Sequence, residues 1–110
     1  MERVFIPQIA TRLDRDTGRV SPVLDFSAAA MHGQLIEVLE SNDNPLFIHG
    51  LMPKIRKVLE SFTEHDCLLA VGDPSLIAAC AAVISRRSPI IHLLKWDRNM
   101  RAYIKIRINI

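Results

Sequence analysis

Lys95, Trp96, Arg98, Arg101, Tyr103, Lys105 and Arg107 place five cations and two aromatic rings within thirteen residues near the C-terminus. That mixture suits single-stranded nucleic acid. Ammonium and guanidinium groups track phosphates, and flat rings stack on unpaired bases for about 1–3 kcal/mol per base. Several exposed phosphate contacts would make the affinity fall steeply with salt. An acidic host protein is the alternative partner for the same surface. The plainer account is that long charged side chains solvate an edge strand and deter pairing with other strands.

Other chemistries find less support in the residues. Val71-Gly72-Asp73-Pro74 reads as the end of a strand running into a helix, a place where ligands of open α/β sheets collect. A small-molecule or nucleotide site at Gly72 and Asp73 is therefore a second alternative. Only one glycine is present there, Asp73 would repel a phosphate, and Pro74 removes an N–H donor. Neither a G-x-G-x-x-G nor a G-x-x-x-x-G-K-[ST] pattern occurs. A capped helix start accounts for the same residues. His32, His49, His65 and His92 lack ligand spacing, so no metal or cofactor is expected. No nucleophile elbow is present. Asp14 and Asp16 share a turn with Arg15, and Asp66 and Asp73 bracket a strand where solvation and capping explain them. No catalytic residue is assigned, and a non-enzyme is expected.

The charge balance suggests a polyanion or acidic partner at the C-terminal end. The chain of 110 residues is net +2, yet Arg86, Arg87, Lys95, Arg98, Arg101, Lys105 and Arg107 face Asp97 alone over 85–110, leaving the remainder net acidic. With 49% hydrophobic residues a single domain over 1–110 buries a real core, about 65% of its unfolded surface. No apolar run reaches the ~18 residues of a membrane helix, and no signal peptide is evident. Cys67 and Cys80 lie in apolar segments and read as buried free thiols in a cytoplasmic protein.

The residues that must hold the cationic stretch follow from periodicity. From Arg101 to Ile110 polar and apolar residues alternate, so Ala102, Ile104, Ile106, Ile108 and Ile110 form a dry face anchoring the strand. Arg101, Tyr103, Lys105, Arg107 and Asn109 form the opposite face. Trp96 shares the parity of Leu94, opposite to Lys95, which would turn it inward and leave Tyr103 as the clear ring on the cationic side. Residues 90–94 make the preceding strand, and Asp97-Arg98-Asn99 the turn. Upstream, 67–71 is wholly apolar, as in a parallel strand covered on both faces. Residues 2–8 read as a strand and 14–18 as a turn, with 19–24 extended, giving an N-terminal ribbon. Helices are predicted over 27–39, 52–62 and 75–85, with a short buried strand at 46–48 and a breaker at Gly50. The third helix lacks a polar face, which predicts a homo-oligomer contact through Ala78, Ala79 and Ala82. The expected fold is a three-layer α/β/α sandwich, mostly parallel, with an antiparallel C-terminal edge hairpin.

Phe5-Ile6-Pro7-Gln8 with Thr17-Gly18, then Asn44-Pro45, then Ala70-Val71-Gly72-Asp73-Pro74-Ser75-Leu76-Ile77-Ala78, and finally Leu94-Lys95-Trp96-Asp97-Arg98 with Tyr103 occur in an order and spacing that resemble a group of small proteins of tailed bacteriophages. The resemblance spans nearly the whole chain. It implies a phage-encoded accessory protein acting in the host bacterial cytoplasm, and it carries over no catalytic residues. Binding of nucleic acid, single-stranded by preference, during viral replication or transcription is the leading expectation, and capture of a host factor is the alternative.

Overall fold

The computed structural model describes residues 2–22 and 25–110. Val23 and Leu24, the end of the predicted extended stretch 19–24, lie outside them. Five strands form one sheet: β1 (Arg3–Gln8), β4 (Gln34–Leu39), β5 (Cys67–Leu69), β6 (Ile90–Asp97) and β7 (Ala102–Asn109), in the spatial order β4-β1-β5-β6-β7. All neighbours are parallel except β6 and β7. A separate antiparallel ribbon pairs β2 (Thr11–Leu13) with β3 (Val20–Pro22). The helices are α1 (Ser27–Ala30), α2 (Ile48–Leu59) and α3 (Pro74–Ser85).

Side chains alternate across the sheet and build two cores. Phe5 and Leu68 point to the side of α2 and α3, where Ile55, Leu59, Leu76, Cys80 and Ile84 meet them. Val4, Ile6, Cys67, Leu69 and Leu94 point the other way, beneath Phe26 and Ala29. The central strands are thus apolar on both faces, as the polar-free run at 67–71 predicts, although β5 itself ends at Leu69. Both long helices share one face. The layer on the opposite face is the single turn of α1.

The predicted helix over 27–39 ends after one turn, and its second half is β4. Leu35, Val38 and Leu39 suit helical spacing, but the fourth member of that stripe, Met31, is exposed. Gly33 decides the matter. Its φ is +154°, and a Cβ there would stand 2.6 Å from the Glu2 carbonyl oxygen. The chain crosses β1 so closely that the Gln34 N–H donates to that same oxygen at 3.2 Å. From there the strand, with the stiff β-branched Ile36 and Val38 in it, runs along β1 from Arg3↔Gln34 to Gln8↔Leu39.

The predicted strand at 46–48 is also corrected. Pro45–Phe47 is a 3-10 turn whose Leu46 N–H is capped by Asn44 Oδ1 at 3.0 Å. Leu46 and Phe47 are 87% and 70% exposed, so no sheet receives them. α2 begins four residues earlier than predicted and takes Gly50 into its first turns. By contrast α3 starts where its signals place it. Asp73 accepts the Ser75 N–H at 2.8 Å, and Pro74 opens the helix.

One charged pair anchors β1 to the loop before β5. Asp66 is buried, and Arg3 reaches it with Nε at 3.2 Å and a terminal nitrogen at 2.7 Å. The Arg3 and Thr63 backbone N–H groups donate to the same carboxylate at 3.1 and 2.9 Å. Burial opposes the charge, but these donors together outweigh it and hold the Asp66 carboxyl below the usual carboxylate range.

Candidate nucleic-acid interface

The register of the hairpin determines which groups share a surface. Residues directly opposite in an antiparallel pair point to the same side. Trp96 stands opposite Tyr103, Leu94 opposite Lys105, and His92 opposite Arg107. The parity of Leu94 is therefore the cationic parity, and Trp96 joins Tyr103 rather than turning inward. The two rings meet edge to face, with centroids 5.1 Å apart at 70°, a geometry worth about 0.5–1.5 kcal/mol beyond the area it buries. Trp96 remains 43% exposed. Tyr103 packs against the core that includes Leu94.

Lys95 is separated from this group. It stands opposite Ile104, on the side of the sheet that carries α2 and α3. Arg98 and Arg101 occupy the exposed turn between the strands. Asp97 Oδ1 accepts the Asn99 N–H at 3.1 Å there, and Arg101 takes a left-handed φ of 49°. Lys105 and Arg107 are exposed along β7, about 6.6 Å apart along the strand. The Arg107 Nε donates to Asn109 Oδ1 at 3.1 Å. Among the described residues the ion pairs join Arg3 to Asp66, Lys54 to Glu40 and Asp43, and His65 to Glu64. None of those pairs includes a cation of the hairpin.

The isoleucine face, expected to be dry, is partly wet. Ile104, Ile106 and Ile108 are 40%, 38% and 40% exposed, and Ile110 more so. The reason is reach. α3 lies over β1 and β6, and α2 over β4, so β7 projects past the helical layer. Alternation distinguishes the two sides of a strand, but only a covering element makes one of them an interior.

The structure also brings in residues that spacing does not single out for binding. A cavity of about 480 Å³ opens between the start of α1 and the hairpin, lined by Asp25, Ser27, Ala28, Val71, Trp96 and Tyr103. Asp25 Oδ1 accepts the Ser27 N–H at 2.9 Å, and hydrogen bonding from Ser27 holds the carboxyl below its ordinary value. Burial raises the Tyr103 phenol above its usual range, and the nearby Asp25 charge adds to that. In sequence, Asp25 and Ser27 signal only a helix start, and nothing in it links them to a hairpin some seventy residues away.

Gly72 and Asp73 stand beside this cavity without lining it. The Asp73 carboxyl is held low, first by the Ser75 hydroxyl and then by its N–H, so its role is to cap α3. Val71, one residue earlier, supplies the wall. On α3, Ala78 and Ala82 are exposed, whereas Ala79 packs against the core. Both cysteines are buried free thiols, and burial pushes Cys80 up to about 12. Among the described residues no group of three or more His, Cys, Asp or Glu is placed to hold a metal, and no helix is long and apolar enough to cross a membrane.

A family model described as Phage Pam3 gp32-like protein matches residues 2–110. No curated protein and no solved structure matches the chain.

Proposed function

We propose that this chain, which belongs to the Phage Pam3 gp32-like protein family, is a non-enzymatic accessory protein that binds single-stranded nucleic acid through its C-terminal hairpin, in the host cytoplasm during viral replication or transcription. The observation that carries this reading is the cross-strand placement of Trp96 against Tyr103 on the side that bears Lys105 and Arg107. Rings and cations on one surface serve the two needs of an unpaired strand, stacking for its bases and counter-charge for its backbone. Lys105 and Arg107 take phosphates along the strand, Arg98 and Arg101 take them at the tip, and the exposed part of the Trp96 indole receives a base. Lys95, which stands on the opposite side of the sheet, takes no part in this surface.

The test is fluorescence anisotropy of a labelled oligothymidylate at increasing salt. Binding at low salt is expected, with log affinity falling linearly against log salt. Replacing Arg101, Lys105 and Arg107 together reduces that slope by about two, because each neutralised phosphate adds about 0.7 to it. Absence of binding at micromolar protein in low salt overturns the reading.

One observation favours capture of a protein instead. The row Ile104, Ile106 and Ile108 offers an exposed apolar strip on the reverse of the same hairpin. In that role the cationic side docks on an acidic host protein. A pull-down after nuclease treatment separates the two, since a retained host protein supports capture and loss with the nucleic acid supports the leading role. A homo-oligomer through Ala78 and Ala82 is part of the proposal. Light scattering that gives 12.4 kDa at high concentration refutes it.

A further inference from the structure

We infer that the cavity between α1 and the hairpin is a base pocket, which takes one unstacked guanine of the bound strand and reads its Watson–Crick edge with Asp25. This rests on the nucleic-acid role proposed above and assigns its specificity.

Position supports a ligand there. The connection from β1 to β4 carries α1, which packs with Phe26 on one face of the sheet, whereas the connection from β5 to β6 carries α3 on the other. β1 and β5 are neighbours. The helices that connect these two adjacent parallel strands to their next partners thus lie on opposite faces, and ligands of open α/β sheets collect at the carboxyl ends of such strands. Val71, two residues beyond the end of β5, lines the cavity, as does Trp96 near the end of β6. The cavity's roughly 480 Å³ is in the range of small-molecule sites.

The lining selects the chemistry. Trp96, Tyr103, Val71 and Ala28 give flat and apolar walls, suited to an aromatic ring. Asp25 and Ser27 are the polar members. An ionised carboxylate accepts and cannot donate, and its two oxygens offer more acceptor sites than the Ser27 N–H occupies. The ring it prefers must therefore present donors. Guanine presents N1–H and the N2 amino group side by side on one edge, a match for two carboxylate oxygens. Adenine, cytosine and thymine each present one donor group on that edge, beside acceptors that Asp25 repels. The phosphates flanking a guanine so placed extend toward Lys105 and Arg107, which project from the Tyr103 side of β7.

The experiment measures anisotropy of labelled oligothymidylates that carry one central guanine, adenine, cytosine or no substitution, against the full chain and the variants Asp25→Ala and Asp25→Asn. Asp25 is exposed, so both variants are expected to fold, and circular dichroism checks this. The guanine oligonucleotide should bind about tenfold tighter than the others. Both variants should lose that preference while keeping the affinity for plain oligothymidylate. Binding of all four with equal affinity, unchanged by either variant, overturns the base pocket and leaves the general role standing. Failure of plain oligothymidylate to bind overturns the general role itself. Guanosine monophosphate binding as tightly as the guanine oligonucleotide identifies a free-nucleotide site and overturns the assignment to a strand.

Discussion

Strands β1 and β5 and the hairpin β6–β7 belong to one sheet, yet they use their side chains differently. In the inner strands Val4, Phe5, Ile6, Cys67, Leu68 and Leu69 are all buried, and the buried carboxylate at their margin, Asp66, is committed to Arg3 and Thr63. Along β7 no side chain is buried. Ala102 and Tyr103 are half-covered, and from Ile104 onward every residue is exposed. The inner strands therefore carry stability and the outer one carries surface that the core does not require. Substitutions in the two regions should separate accordingly.

The largest effects belong to the inner strands. Leu68→Ala empties a site between β5 and the two long helices and should cost about 3 kcal/mol by urea denaturation. Asp66→Ala strands a partly buried guanidinium and should cost a similar amount, about 3 kcal/mol. Because the folded Asp66 carboxyl is held low, its contribution is complete above the unfolded value near 3.9 and is lost as pH falls through the lower folded value. Acid titration of stability should flatten in Asp66→Asn. Gly33→Ala comes next, at about 2–3 kcal/mol, because the added methyl meets β1 backbone, which cannot swing aside as a side chain can. None of these should alter oligonucleotide affinity in the folded fraction.

The hairpin should behave in reverse. Arg101→Ser, Lys105→Ser and Arg107→Ser combined should flatten the salt dependence of binding while moving stability by less than about 1 kcal/mol. Ile106→Ser should have the smallest effect, about 0.5 kcal/mol, and any loss of self-association in sedimentation would mark that strip as a contact. A hairpin variant that costs as much stability as Leu68→Ala would erase the distinction.

The fold is legible in the sequence where one signal suffices. The polar-free run at Cys67, the Asp73-Pro74 helix start and the alternation after Arg101 each need only local rules. Sequence misleads where a distant contact decides. Gly33 becomes intelligible only once the Glu2 carbonyl is beside it, and residues 34–39 satisfy helical spacing by coincidence. The same limit applies to the site. The cations and rings are visible as a cluster, but the placement of Trp96 depends on the pairing register, and exposure of the isoleucines depends on how far α3 extends. Asp25 enters through a tertiary contact that no spacing encodes.

Trp96 is the chain's single tryptophan, and it sits at the hairpin rather than in either core. Its emission is accordingly a local gauge. Excitation of Tyr103 should transfer to the indole 5.1 Å away, and anything that parts the two rings should dim that transfer before the interior strands unravel. The molecule thus carries its own optical reporter at the place where a partner is proposed to arrive.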